Sequence, residues 1–184
     1  MARMVAERPD VIPMLGEIFR EYGYEGASLA VITEKTRLGK GSLYHFFPGG
    51  KEEMATVVLQ QIDAWLEDQI YRPLRESDNP RASISAMCRA VSDYFRSGCR
   101  VCLVGAFALD NVRDRFASAI VDYFTAWKSA LAAALQKLGH KPDEAADLAE
   151  EAVANIQGAL VLARALNDPA VFERAMLRIE RRLL

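Results

Sequence analysis

Apolar residues recur three and four positions apart through almost the whole chain, and Gly and Pro fall where that rhythm breaks. A period near 3.6 puts such residues on one helix face, whereas a strand needs strict alternation, which is scarce here. The chain is therefore expected to be all-α, with about nine helices. Ile12, Leu15, Ile18, Phe19 and Tyr22 mark a first helix over 11–22, with Asp10 as its cap, Pro13 in its first turn and Gly23 ending it. Ser28 can cap a second helix over 29–36, whose Leu29, Ile32 and Val31 turn inward. A third, short helix is expected over 40–46, stopped by Pro48-Gly49-Gly50. A fourth starts at Lys51, carries Met54, Val57, Val58, Ile62, Trp65, Leu66 and Ile70 as one stripe, and is expected to close at Pro73. Further helices are expected at 81–95, 103–109, 114–138, 143–166 and 169–183.

Composition narrows the class. At 184 residues the chain suits a small domain joined to a larger one, and 51% hydrophobic with 26% charged residues suits a globular protein. No apolar run approaches the ~20 residues of a membrane span. The opening MARMVAERPD holds no apolar signal-peptide core, so a cytoplasmic location is expected. The three cysteines are expected to be reduced thiols. A formal charge of −2 argues against a nonspecific polybasic binder. It leaves a sequence-specific one open, because local clustering decides. From Lys35 through Lys51 there are four basic side chains (Lys35, Arg37, Lys40, Lys51) and no acid. Taken alone, such an island is more often a solvated face than a nucleic-acid site.

Three short helices with a tight turn between the second and third form a helix-turn-helix, whose last helix enters the major groove. The segment from 28 to 51 reads SLAVITEKTRLGKGSLYHFFPGGK. At a helix N-terminus the Ser28 hydroxyl and the free N–H groups can meet a phosphate. Lys40 supplies charge for a phosphate or a guanine edge, and Gly41 permits close backbone approach to DNA. Leu43 and Phe47 face inward with Ile32, which leaves Ser42, Tyr44 and His45 outward. Lys51 can pin a second phosphate.

Gly23, Tyr24, Gly26, Ser28 and Ile32, followed by the KGSLYHFFPGGKEEM run from Lys40 to Met54, resemble the DNA-binding signature of the tetracycline-repressor (TetR) family. The PGGKEE extension resembles the branch that includes the LmrA/YxaF-type repressors. The resemblance assigns DNA contact to Ser28, Lys40, Ser42, Tyr44, His45 and Lys51. It also implies a body that dimerises and binds a ligand. Departures from the family pattern are Arg37, where a small residue is usual, Gly39, where Ser or Thr is common, and Phe46. Arg37 is open to a phosphate contact of its own.

The expected division is a reading head over 1–50 and an effector-binding, dimerising body over 51–184. The last two helices are candidates for a homodimer interface. The stretch from Ala145 to Leu166 is rich in small residues, and Val171, Phe172, Met176 and Ile179 stripe the final helix. An ordinary intramolecular core explains the same pattern. A pocket between the fourth helix and the later long ones is expected from Trp65, Met87, Val91, Phe95, Phe107, Phe124, Trp127 and Leu131. Asn111, Tyr123 and Gln157 are its polar members. So thin a polar complement favours a lipophilic or aromatic effector over a sugar or phosphate. Cys99 and Cys102, flanking Arg100, read either as an oxidant or electrophile sensor or as two small apolar residues at a helix start. No metal or cofactor is implied, and no phosphate loop or catalytic triad points to an enzyme. The residues thus support a repressor released from a palindromic operator by a small effector. A thiol-sensing regulator and a helical interaction protein are the alternatives.

Overall fold

The computed structural model describes residues 7–184. Residues 1–6, which carry much of the stretch read for a signal peptide, lie outside the described residues. Among the described residues there is no strand. The α-helices are α1 (Arg8–Gly26), α2 (Leu29–Thr36), α3 (Lys40–Phe46), α4 (Gly50–Leu66), α5 (Arg72–Glu76), α6 (Pro80–Tyr94), α7 (Leu103–Ala108), α8 (Ala117–Lys137), α9 (Pro142–Leu166) and α10 (Ala170–Leu183). A π turn, Glu67–Tyr71, joins α4 to α5 in one rod, and 3₁₀ turns cover Arg96–Gly98 and Arg113–Phe116. None of these helices is long and apolar enough to cross a membrane.

Several boundaries differ from expectation for identifiable reasons. The first helix starts at Arg8, not Val11, because the Asp10 carboxylate accepts the Glu7 N–H at 3.0 Å from one turn inside. Pro9 occupies the first turn, and Pro13 lies within the helix. The absent Pro13 N–H deprives only the carbonyl of exposed Pro9, which water can reach. The helical path does break at Gly23, whose φ of 68° favours a residue without Cβ. Tyr22 does not join the buried stripe; it is exposed, with the Lys35 ammonium 5.2 Å from its ring. Pro73 does not close the fourth helix. The preceding turn is widened to π geometry, with Arg72 N–H bonded to the Glu67 carbonyl, which makes room for the proline ring.

In the body, α8 and α9 pack along each other, and α10 lies against α9 and α6. Gly98 lets α10 come close to the Arg96–Gly98 turn. A Cβ there would stand 2.6 Å from the Phe172 Cβ, and its φ is 92°. Phe172, Met176 and Ile179, expected as a dimer stripe on the last helix, are buried within this chain. They are core residues.

Candidate nucleic-acid interface

In the helix-turn-helix, α3 is held against α2 by Ile32, Leu43 and Phe47, each wholly buried. Between the two helices Arg37 adopts left-handed backbone, φ 59° and ψ 19°, and this explains why a small residue suits that position. Thr36, a residue the sequence did not single out, ties the turn. Its hydroxyl donates to the Ile32 carbonyl at 2.6 Å and accepts from the Leu38 N–H at 3.3 Å. Ser28 caps α2 by accepting the Val31 N–H at 3.3 Å, leaving its own hydroxyl hydrogen to donate outward. Lys40, Gly41, Ser42, Tyr44 and His45 are all exposed on one short helix.

Helix α3 ends against the start of α1. Arg8 Nε donates to the Phe46 carbonyl at 3.0 Å, its Nη2 reaches Glu53 at 3.2 Å, and its guanidinium lies 5.3 Å from the Phe47 ring. Glu53 also accepts the Gly49 N–H at 2.7 Å. A cation at a helix C-terminus satisfies an orphan carbonyl and opposes the negative end of the dipole. Nothing local in the sequence signals this contact, since Arg8 is 38 residues away from Phe46.

The basic island divides in two. Lys35 pairs with Glu21 at 3.4 Å. Lys51 is half-buried: it donates to the Tyr24 carbonyl at 2.9 Å, sits 4.3 Å from the Tyr24 ring and pairs with Glu25 at 3.5 Å. Arg37 and Lys40 are exposed, with no carboxylate partner among the described residues. The unneutralised charge therefore lies on the turn and at the start of α3.

The head joins the body through aromatic and ionic contacts. Tyr24 is buried between Phe19 at 6.0 Å, Phe107 at 6.0 Å and Phe116 at 5.4 Å, and its hydroxyl accepts from Arg115 at 3.0 Å. Arg20, nearly buried, donates to the Val101 carbonyl at 3.2 Å and the Tyr94 hydroxyl at 2.9 Å. Arg100 grips Glu17 at 2.6 Å and the Tyr94 carbonyl at 3.2 Å. Burial acts to raise the Glu17 pKa, but the Arg100 hydrogen bond and the Arg20, Arg100 and Arg96 charges outweigh it and hold the carboxyl below its ordinary value.

The pocket expected from eleven side chains is not assembled as such. Met87, Val91, Phe95, Phe107, Trp127 and Leu131 are closed in the core, with Trp127 Nε1 donating to the Met87 sulfur at 3.5 Å. Their large apolar side chains lie on interior helix faces, where dense packing leaves no room. Asn111 is exposed, and Trp65 packs on Tyr94 with ring centroids 4.4 Å apart and the planes tilted by 30°. Tyr123 is buried, its hydroxyl 3.6 Å from the Cys102 sulfur; burial raises its pKa well above the ordinary phenol value. It backs a cleft of about 350 Å³ between α4 and α8. Phe124 and Gln157 instead share a second cleft, of about 420 Å³, among α7, α8 and α9. Cys99 is exposed and Cys102 buried, with the Cys102 sulfur accepting the Gly105 N–H at 3.3 Å as the cap of α7. Arg100, the cation between them, is committed to Glu17.

Comparison with known proteins gives these features a family. Residues 17–58 match the bacterial regulatory proteins of the tetR family, and residues 80–177 match the C-terminal domain of LmrA/YxaF-like transcriptional regulators. The chain is 26% identical over 165 residues to the uncharacterised HTH-type transcriptional regulator YxaF of Bacillus subtilis, covering 88% of this chain and 86% of that one. A TetR-family regulator of Agrobacterium tumefaciens superposes with a TM-score of 0.80 at 19% identity, over 95% of this chain and 96% of that one. A cysteine mutant of the TetR-family regulator CifR, complexed with 26-base-pair operator DNA, has a TM-score of 0.71 at 22% identity, covering 100% and 98%. With its helix-turn-helix and its helical body both matched, the chain belongs to the TetR family of DNA-binding transcriptional regulators, in the LmrA/YxaF-like branch.

Proposed function

We propose that the protein is a homodimeric repressor that reads a palindromic operator with α3 and is released by a small lipophilic or aromatic effector. The observation that carries this is the exposed, acid-free face of α3 (Lys40, Gly41, Ser42, Tyr44, His45) on a helix locked from behind by Leu43 and Phe47. In this reading Tyr44, His45 and Ser42 meet base edges, while Lys40 takes a phosphate or a guanine. Ser28 and Arg37 hold phosphates on either side. Lys51 fixes the end of α1 to the long rod and keeps one N–H for the backbone of the DNA. The head extends to about residue 50, and the body, 51–184, dimerises and senses.

Support for the dimer lies on α9. Ala154, Gly158, Val161, Leu162, Ala165 and Leu166 are spaced for one helix face, and all are exposed. A monomer gains nothing by presenting Val161, Leu162 and Leu166 to water, whereas a second copy buries them. A two-fold axis there would set the two α3 helices roughly 34–36 Å apart, one turn of DNA. The effector acts by population shift, binding the released arrangement more tightly than the DNA-bound one.

The test is a mobility shift on the DNA upstream of the protein's own gene. A sequence-preferring complex that weakens steeply with salt is expected. Tyr44→Ala should lower affinity by roughly 5- to 150-fold, the cost of ~1–3 kcal/mol for a lost base contact. A Tyr44→Ala protein that binds like the parent, or a parent without salt-sensitive binding, overturns the reading.

A further inference from the structure

The cleft among α7, α8 and α9 differs from the surrounding apolar body in one respect: its wall carries a carboxamide left without a partner. Gln157 Nε2 is buried and has no hydrogen-bond partner among the described residues. On the opposite wall, position 105 is glycine, and a Cβ there would come within 2.7 Å of Gln157 Oε1. The amide is thus held close against the α7 backbone, in a space any larger residue would take from it. A polar group buried without a partner is costly, and leucine would serve packing alone better. Around it the surface is apolar, formed by Ala106, Ala108, Leu109, Phe124 and Leu160, and the lining includes Gly158 and Val161 of the face assigned above to the second copy. Leu109 is 88% exposed beside this opening. Arg164 also lines the cleft, and no carboxylate pairs with it among the described residues.

We infer that this cleft is the effector site and that it takes an aromatic carboxylate. The inference rests on the effector-released reading above. The ring lies against Phe124 and under Leu109. The acid group accepts from the Arg164 guanidinium, which suits carboxylate geometry, and from Gln157 Nε2 once the amide turns out of the wall. Small residues at 105, 106 and 108 leave room for a ring. The volume of about 420 Å³ suits a ligand of one or two rings. A sugar or nucleotide would strand most of its hydroxyls against apolar walls.

The probe is 2-naphthoate, titrated into the intact protein by calorimetry beside its methyl ester. The acid should bind, and should weaken the operator complex when added to it. Gln157→Leu and Arg164→Gln should each weaken naphthoate at least tenfold, while Arg164→Gln leaves the ester unchanged. Operator binding by both variants without ligand shows that they are folded. Equal binding of acid and ester, or naphthoate binding unaltered by both substitutions, overturns the carboxylate assignment and leaves an effector-released repressor standing. Failure of both compounds to bind overturns the cleft as an aromatic-acid site. Failure of the parent protein to bind operator overturns the regulatory reading itself.

Discussion

At residue scale, Gly41 and Arg37 are the positions where stability and function pull apart. Nothing lies within 4 Å of a Cβ built at Gly41, so the protein itself has no use for a missing side chain there. Gly41→Ala should therefore stabilise the fold by up to ~1 kcal/mol through helix propensity while weakening DNA binding by blocking close approach. Thermal melts beside fluorescence anisotropy on operator DNA check both signs. At Arg37 the left-handed backbone costs a non-glycine residue roughly 1 kcal/mol. Arg37→Gly should keep or raise the melting temperature and lower the salt dependence of DNA binding by about one phosphate contact. The sequence marked Arg37 as unusual without explaining it, because the explanation is a dihedral angle. Thr36 was invisible for a related reason: its two hydrogen bonds exist only once the turn is made.

At the scale of elements, the reading head was legible because its signals are local. Ser28 as a cap, Leu43 and Phe47 four apart, and Gly23 as a break depend on neighbours within a turn or two. The contacts that orient the head are long-range, and the sequence concealed them. Arg8→Ala should leave α1 folded but loosen the end of α3, with faster amide exchange over residues 43–47 and lower operator affinity. The clamp from α1 to the body carries a pH dependence. Because the folded Glu17 pKa is lowered, the stability it contributes is fully present above the ordinary value of 4.5 and is lost as pH falls through the folded one. Glu17→Gln should flatten the acid side of the stability profile, read from urea melts between pH 3 and pH 6. The same distance effect kept the linings of the clefts from being read. Periodicity identifies a buried face, but only packing tells which buried residues border empty space, and here Phe124 and Gln157 do while Met87 and Trp127 do not.

For the whole molecule, the proposed dimer uses the uncovered face of α9. Val161→Glu with Leu166→Glu should give a folded monomer in sedimentation equilibrium that binds a half-site weakly and the full operator without avidity. The small-residue content of α9 was visible beforehand, but an apolar stripe reads the same whether it meets its own chain or another, and Phe172, Met176 and Ile179 of α10 meet their own. The π turn in the rod has a consequence of its own. Met54, Val58, Ile62, Leu66, Ile70 and Leu74 are buried at intervals of four, a spacing that in a regular α-helix gains about 40° per step and winds off the core. The wider turn at Glu67–Tyr71 takes back part of that rotation, so both ends of the rod stay buried. The rod is thus geared as well as stiff: closing that turn to α geometry would rotate the Met54–Leu66 segment by about 100° against Leu74. The reading head packs on that segment through α1, so a change of one hydrogen-bond register near Pro73 would strain the contacts that fix the direction α3 faces.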